Sequence, residues 1–155
     1  MENSIKFVVF ALEDQKYALP LSQVEKVIRS VEITPLPKAP EIVSGIINMQ
    51  GGIVPVFNLR KRFRLPERDL DIEDHMLVAI ASSRIVTFGV DRVEGIIELP
   101  REQIIPHGKI HPEMEYVEGV IKLESGMIFI HELGRFLSLE EKAELESALK
   151  KAEEK

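Results

Sequence analysis

Residues 43–63, VSGIINMQGGIVPVFNLRKRF, decide the fold, because residues 117–137 repeat their pattern as VEGVIKLESGMIFIHELGRFL. The two stretches align without a gap at a constant spacing (117 − 43 = 74). An upstream stretch, residues 17–28, is matched by residues 86–97 at a slightly smaller spacing (86 − 17 = 69). Repeats of this size usually mean two similar structural units. The alternative is a chance match between short apolar strands.

The bulk properties suit one compact globular domain. The chain has 155 residues, of which 45% are hydrophobic and 30% are charged, and these values are ordinary for such a domain. It contains no cysteine, which excludes disulfides, thiol nucleophiles and thiolate metal sites. No apolar run reaches the roughly 18 residues that span a bilayer, and the N-terminus shows no signal-peptide pattern. We therefore expect a cytoplasmic protein without direct membrane insertion.

Short strands separated by polar turns run along the chain. Residues 5–12 and 76–81 are apolar on both faces, so we expect them to be buried where the two halves pack together. Pro55 removes a backbone donor from its strand, which predicts an edge or a bulge there. About five strands in each half indicate a small antiparallel barrel. The other strands are predicted near 15–20, 24–33, 44–50, 52–57, 85–90, 93–99, 116–123 and 126–131, with Gly51-Gly52 and Ser125-Gly126 as tight turns.

The predicted fold class is all-β with a C-terminal helix. We expect a single domain over residues 1–155, with subdomain one at about 15–65 and subdomain two at about 85–137. Strands 5–12 and 76–81 can be exchanged between the subdomains in this prediction. The charged, proline-containing stretch 64–74 is the predicted linker between them.

The C-terminal tail is predicted to be a helix over residues 138–153. Ser138 and Glu141 have the spacing of a capping box. The helix carries a narrow apolar stripe, which favours docking on its own barrel. A coiled coil is less favoured because the stripe is too short for several heptads. The stripe consists of Leu145, Ala148, Leu149 and Ala152.

No group of residues has the pattern of a catalytic or metal site, so we expect neither an enzyme nor a cofactor. His107 and His111 have the spacing of two ligands on one helix face, but the prolines and glycine around them make a helix there improbable. His131 ends an apolar strand and is interpreted as structural. Glu94, Glu98 and Glu118 are expected on solvent-facing strand positions. A hydrolase that uses the histidines is the remaining catalytic alternative.

The charge distribution argues against nucleic-acid binding. The formal net charge is −6, whereas binding to phosphates requires a basic surface. The run from Arg60 to Arg64 is locally basic and is interpreted as the solvated face of a helix. A nucleic-acid-binding double barrel that uses this run is the alternative.

Three consecutive stretches carry a family pattern, namely residues 33–40 (ITPLPKAP), residues 43–48 (VSGIIN) and residues 52–60 (GIVPVFNLR). Together they resemble the CheW family of chemotaxis coupling proteins. Residues 7–12 and 17–20 resemble the opening strands of that family, and residues 91–96 (DRVEGI) resemble its second-half strand. The resemblance covers about residues 6–137.

This resemblance implies a fold of two five-stranded SH3-like β-barrels, related by pseudo-two-fold duplication around a shared hydrophobic core. Members of the family are non-catalytic adaptors. They connect the cytoplasmic tips of chemoreceptors to the regulatory domain of the histidine kinase CheA. By position, Val24 and Gly45 match residues implicated in docking the kinase. Asn48 and Gly51 match the ends of the family's Asn-Leu-Arg-Gly turn.

Two residues depart from the family pattern. Gln50 replaces the turn arginine, and a neutral amide cannot make the charge-assisted contacts of a guanidinium. Lys26 stands where the family often has glutamate. A divergent or auxiliary scaffold in a non-flagellar array, such as one controlling pili, is therefore the alternative role. The candidate protein-binding residues are Val24, Lys26, Gly45, Asn48, Met49, Gln50 and Gly51.

Overall fold

The chain folds into two β-sheets and a C-terminal helix. The computed structural model describes residues 3–68, 73–81, 84–106, 117–135 and 137–153. Helix α1 covers Leu59–Arg62 and helix α2 covers Leu139–Glu153. Short 3-10 turns lie at Leu21–Gln23, Arg101–Gln103 and Leu133–Arg135. The strands are β1 (Ser4–Leu12), β2 (Gln15–Pro20), β3 (Val24–Arg29), β4 (Val43–Met49), β5 (Gly52–Phe57), β6 (His75–Ala81), β7 (Arg84–Val90), β8 (Arg92–Pro100), β9 (Ile104–Pro106), β10 (Val117–Leu123) and β11 (Gly126–His131).

Each sheet combines strands from both sequence repeats. The six-stranded sheet has the order β8-β1-β2-β11-β10-β9, and the five-stranded sheet has the order β3-β6-β7-β5-β4. The first hairpin of each repeat, β1-β2 or β6-β7, therefore lies among the strands of the other repeat. The predicted boundaries differ from this arrangement, because they assigned β2 and β7 to their own halves. A two-residue turn joins β1 to β2, so β2 must follow β1 into the same sheet.

The two sheets have the same topology. Replacing β8, β1, β2, β11 and β10 by β3, β6, β7, β5 and β4 reproduces the strand order. A 3-10 turn joins β8 to β9, so one run of chain supplies both edges of the six-stranded sheet. In the five-stranded sheet, Thr34 follows β3 and bridges to Ile46 of β4 in the same way. The sheets thus curl into two related barrels, as the fold-class prediction expected.

Two glycines at matching repeat positions let the segment that follows β3 or β8 approach β4 or β10 and close each barrel. A Cβ atom at Gly45 would lie 2.3 Å from the carbonyl oxygen of Thr34, and one at Gly119 would lie 2.9 Å from that of Ile105. Real Cβ atoms do not approach other atoms so closely. Each glycine also follows a bulge in its strand, at Val43/Gly45 and at Val117/Gly119.

The described residues form three buried hydrophobic clusters. Each barrel has its own inner cluster, and a larger one, the joint core, lies between them. Strand β1 is buried on both faces, since Phe7 and Val9 belong to the second barrel's inner cluster while Val8 and Phe10 belong to the joint core. This confirms the prediction that strands 5–12 and 76–81 lie where the halves meet. The joint core consists of Val8, Phe10, Leu12, Tyr17, Leu19, Leu36, Ile42, Val43, Phe57, Leu59, Leu77, Ala79, Val86, Phe88, Val90, Leu133, Leu145, Ala148 and Leu149.

Pro55 was predicted to mark an edge or a bulge, and it does not mark an edge strand; the bulge in the pairing of β5 with β4 lies at Val43/Gly45, opposite Val56 and Phe57. Strand β5 lies between β7 and β4. Pro55 is paired with Ile46, whose N–H and carbonyl groups are bonded to Thr34 instead. The pairing of β5 with β7 begins only at Val56. The missing donor of Pro55 therefore removes no ladder hydrogen bond.

The β4–β5 turn is shifted by one residue from its predicted position. Met49 pairs with Gly52, so Gln50 and Gly51 are the two turn residues. In the second repeat, Leu123 pairs with Gly126, which places Glu124 and Ser125 in the turn. The glycine at the second predicted position belongs to the following strand in both repeats.

Helix α2 begins with the predicted capping box. The N–H of Glu141 donates to the Ser138 hydroxyl (3.1 Å), and the N–H of Ser138 donates to the Glu141 carboxylate (2.9 Å). Leu145, Ala148 and Leu149 are buried in the joint core, so the helix docks on its own barrels as expected. Neither helix in the described part of the chain is long and apolar enough to cross a membrane.

Candidate functional site

Six of the seven predicted site residues lie in two places, and the seventh, Gly45, is buried in β4. The first is the turn between β4 and β5, which carries Asn48, Met49, Gln50 and Gly51. Gln50 and Gly51 both have positive φ angles, 50° and 82°, as a two-residue hairpin turn of this kind requires. Asn48 and Gln50 are exposed, whereas Met49 is half-buried against the inner cluster of the first barrel. Only part of this turn can therefore meet a partner.

Gly45 is not a surface residue. It is buried in β4 beneath Thr34. Any effect of Gly45 on docking has to pass through the course of β4, because the glycine has no side chain and no exposed face.

The second place is strand β3, which carries Val24 and Lys26. Strand β3 is an edge of the five-stranded sheet, and its dyad counterpart β8 is an edge of the six-stranded sheet. Val24 is half-buried against the joint core, and Lys26 is exposed. Val93 in β8 occupies the repeat position of Val24 and packs on the joint core in the same way.

Two exposed apolar residues lie on the same strands as Val24 and Val93. Val27 is 41% exposed and Ile96 is 60% exposed, and they occupy matching repeat positions. Directly paired residues point to the same face of a sheet, and every partner of these four residues belongs to the joint core. The joint core is thus bordered by two edge strands with apolar side chains, which we call the seam surface. Its pairs are Val24 with Ala79, Val27 with Leu77, Val93 with Phe10 and Ile96 with Val8.

Sequence reasoning missed Val27, Val93 and Ile96 as site candidates. The signal was present in the repeat itself, because the apolar residues at 24 and 27 recur as apolar residues at 93 and 96. An apolar residue on an edge strand is informative when its repeat partner has the same character.

A group of charged side chains connects the two sheets on one side of the joint core. Arg60, in α1, is only 8% exposed. Its guanidinium bonds the carboxylates of Glu13 and Asp91 and donates to the carbonyl oxygen of Pro66 (2.8 Å). Arg68 binds Asp74 through two hydrogen bonds (2.9 and 3.0 Å) and also reaches Asp91 (2.7 Å).

These contacts shift the pKa values of the participating groups. Burial favours the neutral form of Asp91, but the hydrogen bonds from Arg60 and from the Glu13 N–H outweigh it and lower the pKa of Asp91. Burial also opposes the charge of Arg60, yet the hydrogen bonds to Glu13 and Asp91 raise its pKa. Hydrogen bonding to Asp74 raises the pKa of Arg68. All three groups are therefore charged over the whole physiological range.

The basic run is a solvated face only at Arg64, which is exposed, and this corrects most of its interpretation from the sequence. Arg60 is buried in the ion pairs just described, and Arg62 binds Glu141 of α2 at 2.7 Å. Lys61 lies 4.0 Å from Glu41. Cations that are already paired with carboxylates offer little to a phosphate backbone, so the geometry does not favour the nucleic-acid alternative.

The histidines and glutamates considered for chemistry do not assemble into a reactive group among the described residues. His131 is fully buried between the rings of Phe63 and Phe88, and burial lowers its pKa to about 3. Partial burial, followed by the charge of Glu132, raises the pKa of Glu118. Within the described ranges no three His, Asp or Glu side chains could hold a metal ion. His107 and His111 lie outside the described residues.

Comparison with known proteins assigns the family. The family model for the CheW-like domain matches residues 6–144. The chain belongs to the CheW-like domain family.

Individual relatives agree with this assignment. A chemotaxis protein CheW from Klebsiella aerogenes is 26% identical over 147 residues, which cover 94% of this chain and 89% of the relative. A chemotaxis protein CheW from Thermotoga maritima is 34% identical over 95 residues, covering 61% and 62% of the two chains. The crystal structure of the scaffolding protein TtCheW from Thermoanaerobacter tengcongensis superposes with a TM-score of 0.80 at 30% identity, covering 88% of this chain and 94% of that one.

Proposed function

We propose that this CheW-like protein is a non-catalytic cytoplasmic adaptor that couples chemoreceptors to the histidine kinase CheA. The observation that carries the proposal is a family match over residues 6–144, together with a duplicated barrel whose joint core is bordered by exposed apolar side chains. A binding function needs such surfaces, whereas the described residues offer no reactive group for an enzyme.

The seam surface is the proposed site for the receptor tip. A helix buries an apolar stripe most readily in a groove with apolar walls. Val27 and Ile96 supply such walls on two different sheets, and the half-buried Val24 and Val93 lie beside them on the same strands. A receptor helix that lies between β3 and β8 would contact both barrels at once.

The β4–β5 turn and the exposed part of β3 are the proposed site for the kinase regulatory domain. Asn48, Gln50 and Gly51 project from the end of one barrel, and Met49 fixes the turn to the inner cluster. Lys26 lies on β3, the other edge of the same sheet, and we assign it to this site because Thr34, which follows β3, bridges to Ile46 of β4. Gly45 contributes indirectly, because it lets Thr34 close the barrel next to this turn.

Binding of the purified protein to two fragments would test the proposal. The fragments are the cognate CheA regulatory domain and a receptor signalling tip, each titrated to high micromolar concentration. We expect both to bind, and array multiplicity can make weak contacts sufficient. Failure of both fragments to bind would reject the adaptor role.

Variants can separate the two sites. Ile96→Asp places a charge on the β8 side of the seam surface, away from β3, so we expect it to weaken receptor binding and to leave kinase binding unchanged. Leu139→Asp is the matched control, because Leu139 is 89% exposed at the start of α2. Equal loss of both partners in the Ile96 variant would contradict the assignment of separate sites.

Gln50 offers a test of partner adaptation. Its side chain is exposed at a turn position, so arginine can replace it without disturbing the barrel. If the cognate kinase is adapted to glutamine, Gln50→Arg will not strengthen its binding, whereas a CheA domain adapted to the family's arginine will bind the variant more tightly. Equal binding of both kinase domains to both proteins would show that position 50 does not take part.

A further inference from the structure

Arg60 stands where the chain passes from one barrel to the other. Strand β7 belongs to the five-stranded sheet and β8 to the six-stranded sheet, and Asp91 is the single residue between them. Asp91 is fixed from several directions. Its N–H donates to the carbonyl of Ala11 (2.9 Å), its carboxylate accepts from the N–H of Glu13 (2.7 Å), and Arg60 bonds the same carboxylate.

The chain passes between the two sheets a second time, at the matching position of the other repeat, and among the described residues these contacts are lacking at that passage. There the chain passes from β2 to β3 through the 3-10 turn Leu21–Gln23. The repeat position of Arg60 is Gly134, which has no side chain. The charged connection is therefore specific to the crossing that leads into β8, and it is not a general requirement of the barrel.

Strand β8 supplies one wall of the seam surface, and it starts at the residue after Asp91. Val93 lies two positions and Ile96 five positions beyond that carboxylate. An open cavity of about 560 Å³ lies beside the charged group, lined by Asn58, Arg60, Arg68 and Asp91 among others. At this end of the crossing the hydrogen bonds and ion pairs of Asp91 add to the packing of Val90, which is buried in the joint core.

We propose that Arg60 is a positioning residue for partner binding: by holding Asp91, it sets the start of β8 and with it the Val93–Ile96 wall of the seam surface. This proposal rests on the proposed receptor site. A guanidinium suits the task because its planar fork can bond Glu13 and Asp91 at once, which a lysine ammonium cannot do with the same geometry.

Binding of the receptor tip to Arg60→Gln and Asp91→Asn would test the inference, with Arg62→Gln as control. Arg62 lies in the same short helix and also loses an ion pair, but its partner is Glu141 of α2. We expect receptor affinity to fall about fivefold in the first two variants, at a temperature where all remain folded, and to stay at the wild-type level in the control. Unchanged affinity in folded Arg60→Gln and Asp91→Asn would overturn the proposal.

A double-mutant cycle with Ile96→Ala separates positioning from a general loss of stability. If Arg60 acts by positioning Ile96, Arg60→Gln will lower receptor affinity less in the Ile96→Ala background than in the wild type. The effects of two coupled residues are not additive. Independent effects would contradict the inference.

If the wild-type protein binds no receptor tip, the proposed receptor site is rejected. Hydrogen exchange then still tests the positioning role of Arg60, because it is measured on the free protein. Amides of residues 93–97 should exchange faster in Arg60→Gln than in Arg62→Gln. Equal exchange in the two variants would reject the role of Arg60 whatever the partner.

Discussion

The two repeats share one β-framework but are followed by opposite kinds of interaction. After β5, the last strand of the first repeat, Arg60 enters a group of ion pairs with Glu13 and Asp91. After β11, the last strand of the second repeat, α2 places Leu145 and Leu149 in the joint core. The charged contact holds the tip of the β1–β2 hairpin, and α2 holds the start of β7 through Arg84 and Glu146.

This difference separates what the duplicated fold requires from what it leaves open. The bulges, the strand order and the close approach of Gly45 and Gly119 to a crossing carbonyl recur in both halves, because the barrel cannot close without them. The segments that follow the last strand do not take part in closure. They could therefore diverge, one into a charged connection at the crossing and the other into a packed helix.

The largest effect should come from adding a methyl group at the shared framework. Gly45→Ala would place its Cβ 2.3 Å from the Thr34 oxygen at a φ of +154°, so we expect a loss of about 3–5 kcal/mol in the free energy of unfolding. Gly119→Ala meets a 2.9 Å contact and should cost about 1–3 kcal/mol. Urea denaturation measures both. In the control Gly52→Ala, the nearest atom lies at 3.5 Å, and a loss as large as that of Gly45→Ala would refute the steric argument.

The next largest loss in the free energy of unfolding should come from truncating Leu145, the α2 side chain buried in the joint core. Leu145 is buried in the joint core whereas Leu139, on the same helix, is 89% exposed. We expect Leu145→Ala to lower the free energy of unfolding by about 2–5 kcal/mol and Leu139→Ala to change it by less than about 0.5 kcal/mol. Thermal denaturation of both variants gives the comparison. Similar losses in the two would mean that α2 is stabilised by its own helical contacts and not by docking.

His131 and Phe57 occupy matching repeat positions, and both are buried in the region between the barrels. The pKa of His131 is lowered to about 3 by burial, so between pH 3 and its ordinary value near 6.5 the unfolded chain binds one more proton than the folded chain. Stability should therefore fall as the pH drops below 6.5, by about 1.4 kcal/mol per pH unit from this residue.

Urea denaturation of wild type and His131→Phe between pH 6.5 and 5 measures this dependence, because the difference between the two proteins isolates the contribution of His131. His131→Phe gives the second repeat the residue that the first repeat has at this position. It should remove the contribution of His131 to the change of the unfolding free energy with pH. An identical pH dependence in wild type and variant would show that His131 is protonated in the folded protein.

The repeat made most of the fold predictable, whereas the site was predictable only in part. Strands 15–20, 52–57 and 126–131 were predicted with their observed bounds, because alternation and turn residues report local geometry. The exchange of whole hairpins depends on contacts between distant residues, so spacing could not reveal that β2 and β7 change sheets. The burial of Arg60 escaped prediction for the same reason, since Glu13 and Asp91 lie 47 and 31 residues away.

The smallest change in the free energy of unfolding should come from the ion pair between Arg84 of β7 and Glu146 of α2. Arg84 and Glu146 are bonded through two guanidinium nitrogens, but their side chains are 37% and 49% exposed. Water and salt screen such a pair, so Arg84→Gln should cost only about 0.2–1 kcal/mol, and 1 M salt, roughly, should abolish the difference from wild type. Arg60→Gln removes a cation that is 8% exposed and takes its guanidinium from Glu13 and Asp91, of which Asp91 keeps its bond to Arg68, so its larger loss should persist in salt. Denaturation of both variants at low and high salt decides the matter, because equal salt sensitivity would mean that the charged connection of the first repeat is a surface contact after all.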